Sequence, residues 1–155
     1  MALTVKRITL WRREIENQPG TLAATLEPLA SAGANLQVVM GYRFPETTTR
    51  AAIEVYPVAG KKTTAAAEQA GLAPFGLACL LVEGEDRPGL GARLARALAH
   101  AGINIVFLVA QGLGRRYTSV IGFDDDASAA NAAKIIKAAA KAPVPKKKAA
   151  RRRKR

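Results

Sequence analysis

The sequence predicts an α+β fold made of two copies of one small unit, each an open antiparallel sheet with both helices on one face. Two observations lead there. The chain matches itself at a constant offset of 69 residues, and within each copy the apolar residues change from a period near two to a helical period and back. Between residues 14–37 and their counterparts 83–106, ten positions are identical: Glu14, Glu16, Pro19, Gly20, Ala23, Leu29, Ala30, Ala32, Gly33 and Asn35. An offset that holds over so many positions without a gap means duplication. The expected units are residues 1–73 and 74–141, followed by a basic tail, residues 142–155.

In the first copy, residues 5–14 alternate loosely, with Val5, Ile8, Leu10 and Trp11 apolar, and predict one strand. Pro19-Gly20 ends it and opens a helix, because proline suits a first helical turn where its missing donor is not needed. Leu22, Leu26, Leu29 and Gly33 follow at helical spacing, and Pro28 inside that run removes a backbone bond and predicts a kink. Gly33 is the helix stop, and residues 35–42 the next strand. After a turn at residues 45–48, residues 50–58 return as a strand, with Ala51, Ile53 and Val55 on one face and Ala52, Glu54 and Tyr56 on the other. Residues 61–70 have a helical composition that Gly71 ends.

The second copy repeats this order. Residues 77–82 are a strongly apolar strand. A helix over residues 88–101 carries Leu90, Leu94, Leu98 and Ala101 on one face, and Glu83, Glu85 and Asp86 precede its N-terminus, where negative charge suits the helix dipole. Gly102 ends that helix. Residues 104–110 form a strand, 112–114 a turn and 117–123 the return strand. Asp124-Asp125-Asp126 then caps a last helix over residues 127–141. A strand–helix crossover followed by a hairpin and a second helix places both helices on one face of the sheet.

Composition narrows the function. The formal charge of +12 is concentrated in the tail: residues 141–155 hold nine basic residues and no acidic ones, leaving the remainder at +3. The tail is expected to be disordered, and its phosphate contacts would be salt-sensitive and sequence-blind. The single cysteine, Cys79, excludes a disulfide framework within one chain and reads as a small core residue. With His100 the only histidine, no metal site, catalytic residue or cofactor is expected. No run of eighteen apolar residues exists, so no transmembrane segment is expected, and the reading is cytoplasmic.

The unit order, with Asp-Arg-Pro-Gly-Leu at residues 86–90 and Gly-Ile-Asn-Ile at 102–105, resembles the ACT domain family. The resemblance covers nearly all of residues 5–140, and is stronger in the second copy than in the first, where Asn17-Gln18 stands before Pro-Gly. It implies two ferredoxin-like (βαββαβ-type) units in tandem. It also implies a fourth strand after each second helix. None is evident here, because the chain after Lys141 is Pro-rich and cationic and the Leu77 strand already opens the second unit. The open edge must then be covered by another strand or chain.

For function the resemblance implies a non-catalytic regulatory protein that binds an amino acid or similar small ligand near the loop between the first strand and first helix of a unit. On that basis the ligand-binding residues are Asp86, Arg87, Pro88, Gly89, Leu90 and Asn104, and more weakly Asn17, Gln18, Pro19, Gly20, Thr21 and Asn35. Helix N-terminal donors suit a carboxylate, a nearby acid such as Asp86 an ammonium, and Asn both donors and acceptors. The same residues also serve folding alone, as a helix start and a helix stop. The expected partners are that ligand and a second copy or another protein. The alternative is a dimerising scaffold whose tail binds nucleic acid or another anionic polymer.

Overall fold

A computed structural model describes residues 3–142, and the tail from residue 143 onward lies outside the described residues. The chain forms β1 (Thr4–Ile8), β2 (Trp11–Glu16), α1 (Thr21–Ser31), β3 (Val38–Arg43), β4 (Arg50–Tyr56), α2 (Lys61–Gln69), β5 (Ala73–Pro74), β6 (Ala78–Glu85), α3 (Leu90–His100), β7 (Phe107–Leu113), β8 (Arg116–Phe123) and α4 (Asp126–Lys141). Two four-stranded antiparallel sheets result, ordered β3-β4-β2-β5 and β1-β6-β8-β7. The architecture is α+β, two ferredoxin-like units.

The expected single strand over residues 5–14 is in fact two. Leu10, fully buried, lies at the break and packs between the sheets, and the segments on either side enter different sheets. From Trp11 onward β2 pairs with β4 in the first sheet. β1 instead crosses to the second sheet and runs antiparallel to β6, with Ile8 opposite Cys79 and Thr4 opposite Glu83. The fourth strand of the second sheet is therefore supplied by β1, ahead of the strands of the first sheet. In the first unit the equivalent place is filled by β5, which pairs only Ala73 and Pro74 with Arg12 and Trp11. Residues 4–8 thus lie in the sheet of the second unit although the repeat assigns them to the first.

Two other strands start later than expected. β3 begins at Val38 rather than residue 35, and β7 runs from Phe107 to Leu113 rather than over residues 104–110, which moves the hairpin turn to Gly114-Arg115. In each unit the alternating residues after the helix, Ala34 and Leu36 or Ile103 and Ile105, pack against the helix-side core without joining the ladder. Alternation there reflects burial of a connecting segment, not strand pairing. The helix α1 continues past Pro28 to Ser31.

Three apolar clusters hold the molecule. Leu29, Ile53, Val55, Ala67 and Leu72 lie between the first sheet and α1 and α2, and Leu80, Val82, Leu94, Leu98, Phe123 and Ile136 lie between the second sheet and α3 and α4. The third, Ile8, Leu10, Cys79, Leu81 and Val120 with Val38, Met40, Tyr56, Leu77 and Phe107, joins the helix-free faces of the two sheets. Strand β6 is buried on both faces, which explains its unbroken apolar run. Burial raises the Cys79 thiol to about 11, so it is a packed core group and not a poised nucleophile. Where the second helix core has Val82 and Leu94, the first has Arg13 and Thr25. The Thr25 hydroxyl, fully buried, accepts from Arg13 Nη1 (3.1 Å) and donates to the Thr21 carbonyl (2.9 Å), so the polar substitution is satisfied.

Candidate functional site

In the second unit the strand–helix loop is fastened to the β7–β8 hairpin. The Asp86 N–H donates to the Arg115 carbonyl (2.8 Å), and the Glu85 carboxylate receives Arg87 Nη2 and Arg115 Nη2, each at 3.0 Å. Those two guanidinium groups, Arg87 first, hold Glu85 below the usual carboxylate range. The Asp86 carboxylate lies over the backbone of Gly112, where an added Cβ would fall 2.8 Å from Oδ2. Asp86, Arg87, Pro88 and Gly89 are exposed, whereas Leu90 is buried in the helix-side core. Asn104 is exposed in the connector before β7.

The loop of the first unit borders a polar pocket of about 720 Å³ lined by Glu14, Ile15, Glu16, Asn17, Gln18, Thr48, Thr49 and Arg50. Asn17 spans it, its N–H donating to the Thr49 carbonyl (2.8 Å) and its Nδ2 to the Thr48 carbonyl (2.9 Å). Gln18 Nε2 donates to Glu16 Oε2 (3.0 Å), and Thr21 Oγ1 to the Gln18 carbonyl (2.9 Å). Gly20 caps α1 with φ 89° and Gly89 caps α3 with φ 81°, a left-handed conformation that an L side chain rarely adopts. Neither cap brings a side chain to the first helical N–H groups. Pro19 and Asn35 are exposed, the latter well before β3.

The pockets that Asn17 and Gln18 line are formed by the first unit alone, so the two loops do not combine into one site there. What the units do build jointly is a cleft of about 620 Å³ between the helix-free sheet faces. It is lined by Arg12, Val39, Met40, Gly41, Tyr42, Glu54, Phe75 and Leu77, with Val106, Phe107 and Val109 opposite. The Glu54 side chain is 2% exposed, accepts from the Tyr42 hydroxyl (3.1 Å), and stands 3.8 Å from Arg12 Nε. Burial pushes its pKa up, against the pull of Tyr42 and Arg12. The Arg12 guanidinium lies 4.5 Å from the Phe75 ring centroid and 5.5 Å from that of Phe44. Its Nε is buried and has no hydrogen-bond partner among the described residues.

None of Arg12, Tyr42 or Glu54 was singled out from the sequence as a site residue. The available signal was Glu54, a carboxylate in the middle of a strand whose neighbours on both sides are apolar.

No helix among the described residues is long and apolar enough to cross a membrane. No protein-family model and no curated protein matches the chain. Solved structures do. Protein BT0572 from Bacteroides thetaiotaomicron is similar at 17% identity and a TM-score of 0.69, over 85% of this chain and 88% of that one. The ligand-free regulatory subunit of aspartate kinase from Thermus thermophilus is similar at 18% identity and a TM-score of 0.60, over 90% and 97%. The Thermus flavus regulatory subunit gives 18% identity and a TM-score of 0.54 over the same shares. At these identities the likeness is one of fold.

Proposed function

We propose that the protein is a non-catalytic regulatory protein that binds an amino acid or similar small ligand at the strand–helix loop of its first unit and relays occupancy to a partner. The observation that carries this reading is the polar pocket around Asn17 and Gln18. It offers carboxylates from Glu14 and Glu16, a cation from Arg50 and neutral donors and acceptors from Asn17, Gln18, Thr48 and Thr49. Groups of both signs within one cleft suit a zwitterion. Pro19, Gly20 and Thr21 set the entry to α1, and Asn35 completes the set expected in that unit. In the second unit Asp86, Arg87, Pro88 and Gly89 form the corresponding loop with Asn104 beyond it, while Leu90 contributes by anchoring the helix start. The fold shared with regulatory subunits of aspartate kinase supports a regulatory role.

Association with a second copy or a partner protein is supported by the edge strand β7, whose Leu108 and Leu113 are 48% and 78% exposed. The basic tail, which motivated nucleic-acid binding, lies outside the described residues.

Calorimetric titration of the full chain with each common amino acid tests the reading. Binding by one or a few is expected, weakened about tenfold by Asn17→Ala through loss of a side-chain hydrogen bond. Silence with every amino acid at saturating concentration sinks it.

A further inference from the structure

We propose that the cleft between the two sheets is a second binding site, for a small apolar carboxylate held by the Arg12 guanidinium with its hydrocarbon body among Met40, Leu77, Phe107 and Val109. The site is separate from the loop pocket in location and chemistry, and the proposal does not depend on that pocket being occupied.

The two copies of the unit supply the first argument. Arg12 stands directly opposite Glu54 in the β2–β4 ladder. The offset of 69 residues matches Arg12 to Leu81. The bond from Gln37 N–H to the Tyr56 carbonyl recurs as Val106 N–H to the Gly122 carbonyl, which matches Glu54 to Val120. Leu81 and Val120 are likewise directly opposed, and both are buried in the cluster that joins the sheets. An apolar pair therefore suffices to build this face. Replacing such a pair by buried ions is often neutral or worse for stability, so folding alone gives no reason for Arg12 and Glu54.

Geometry supplies the second. A strut between strands would be closed by short hydrogen bonds, yet Arg12 Nε stands 3.8 Å from Glu54 Oε1 and Nη2 3.5 Å from Glu14 Oε1, and Nε has no hydrogen-bond partner among the described residues. Phe75 and Phe44 hold the guanidinium in place, so its donors are arranged before any ligand arrives. A guanidinium offers a planar fork of donors that matches a carboxylate.

Size and lining supply the third. The volume of about 620 Å³ falls within the range of small-molecule sites, roughly 300–1,000 Å³. Val39, Tyr42, Val106 and Val109 at its rim are between 42% and 49% exposed, leaving apolar surface that the chain itself does not cover. Glu54 and the Tyr42 hydroxyl stand close enough to Arg12 to receive an α-ammonium group when the carboxylate carries one. The shared chemistry is thus a carboxylate on an apolar body, with amino acids and their deaminated analogues as its two sources. Because the walls come from both units, an occupant ties one sheet to the other.

Titration calorimetry on the full chain with phenylalanine, leucine, 3-phenylpropanoate, 4-methylpentanoate and the neutral 3-phenylpropanamide tests the proposal. At least one acid is expected to bind and the amide not to. Binding by the amino acids alone assigns Glu54 and Tyr42 to the ammonium, and binding by the deaminated acids assigns recognition to Arg12 by itself. Arg12→Met is expected to weaken binding by about tenfold or more, the effect of removing a charged hydrogen-bonding group. Val109→Trp, at an exposed rim position, fills the cleft and abolishes binding. The proposal is overturned by failure of every acid to bind, by an amide as tight as the acids, or by wild-type affinity in either Arg12→Met or Val109→Trp. A loss caused by Asn17→Ala but not by Arg12→Met assigns the ligand to the loop pocket instead.

Discussion

At the residue scale, Gly122 and Glu54 show how a single side chain controls the space between the sheets. Gly122 sits in β8 beneath Phe107, a wall of the cleft. A Cβ there would fall 2.3 Å from Phe107 Cε1 and 2.9 Å from Leu77 Cδ2. Gly122→Ala is therefore expected to displace Phe107 and destabilise the protein by about 1–3 kcal/mol, the usual effect of overpacking, as read from urea unfolding. Wild-type stability in that variant would mean that the ring has room to move.

Glu54 makes a pH prediction. Burial raises its pKa above that of the unfolded chain, so the native state holds the proton more tightly. Stability must then fall as pH rises from the ordinary carboxylate range near pH 4 through the raised native value, and stay lower above it. Glu54→Gln removes this decline, so the variant should gain on the wild type steadily as pH rises through that window. Parallel stability curves for the two proteins would contradict the assignment.

At the scale of elements, β1 is the piece with the largest consequence for its length. It covers the edge of β6, buries Ile8 between the sheets, and carries Lys6 over the Tyr56 ring at 5.6 Å. Deleting residues 1–8 uncovers a long apolar edge, which is expected to lower the melting temperature and to promote self-association visible by sedimentation. A truncated chain that melts like the full one and stays as dispersed would show the strand to be dispensable.

The helix ends were legible from the sequence. Asp125 caps α4 by accepting from the Ser128 N–H at 2.6 Å, as the acidic run before it implied, and Gly33 and Gly102 stop α1 and α3 with positive φ. The strand starts were less so. The residues after Gly33 and Gly102 alternate because they pack against the helices, and alternation alone does not distinguish that from pairing.

At the scale of the molecule, a strand and an apolar core are shared between the two units, which predicts that they unfold together. Leu81 lies in the second unit and Trp11, the single tryptophan, in the first. Leu81→Ala opens the core between the sheets, and a loss of about 2–5 kcal/mol is typical of such a change. The Trp11 fluorescence transition is expected to shift together with the circular dichroism transition of the whole chain. A dichroism shift that leaves the tryptophan transition in place would show that the units unfold separately.

The duplication, the four helices and the loops around Asn17 and Asp86 could be read from the chain, because they rest on local signals: a fixed offset, hydrophobic period, and Pro, Gly and Asn at element ends. The path of residues 4–8 into the other sheet was not readable, since a strand's own alternation says which face is buried but not which edge it pairs with. Nor was the cleft. Arg12 and Glu54 are 42 positions apart and meet only through the β2–β4 ladder, and the residues that close the cleft above them belong to the other copy. By itself the sequence determined two units and the local form of their loops, because those follow from neighbouring residues. Tertiary structure decided which strand completes which sheet and where charge is enclosed, because both depend on pairings between segments that only the folded chain brings together.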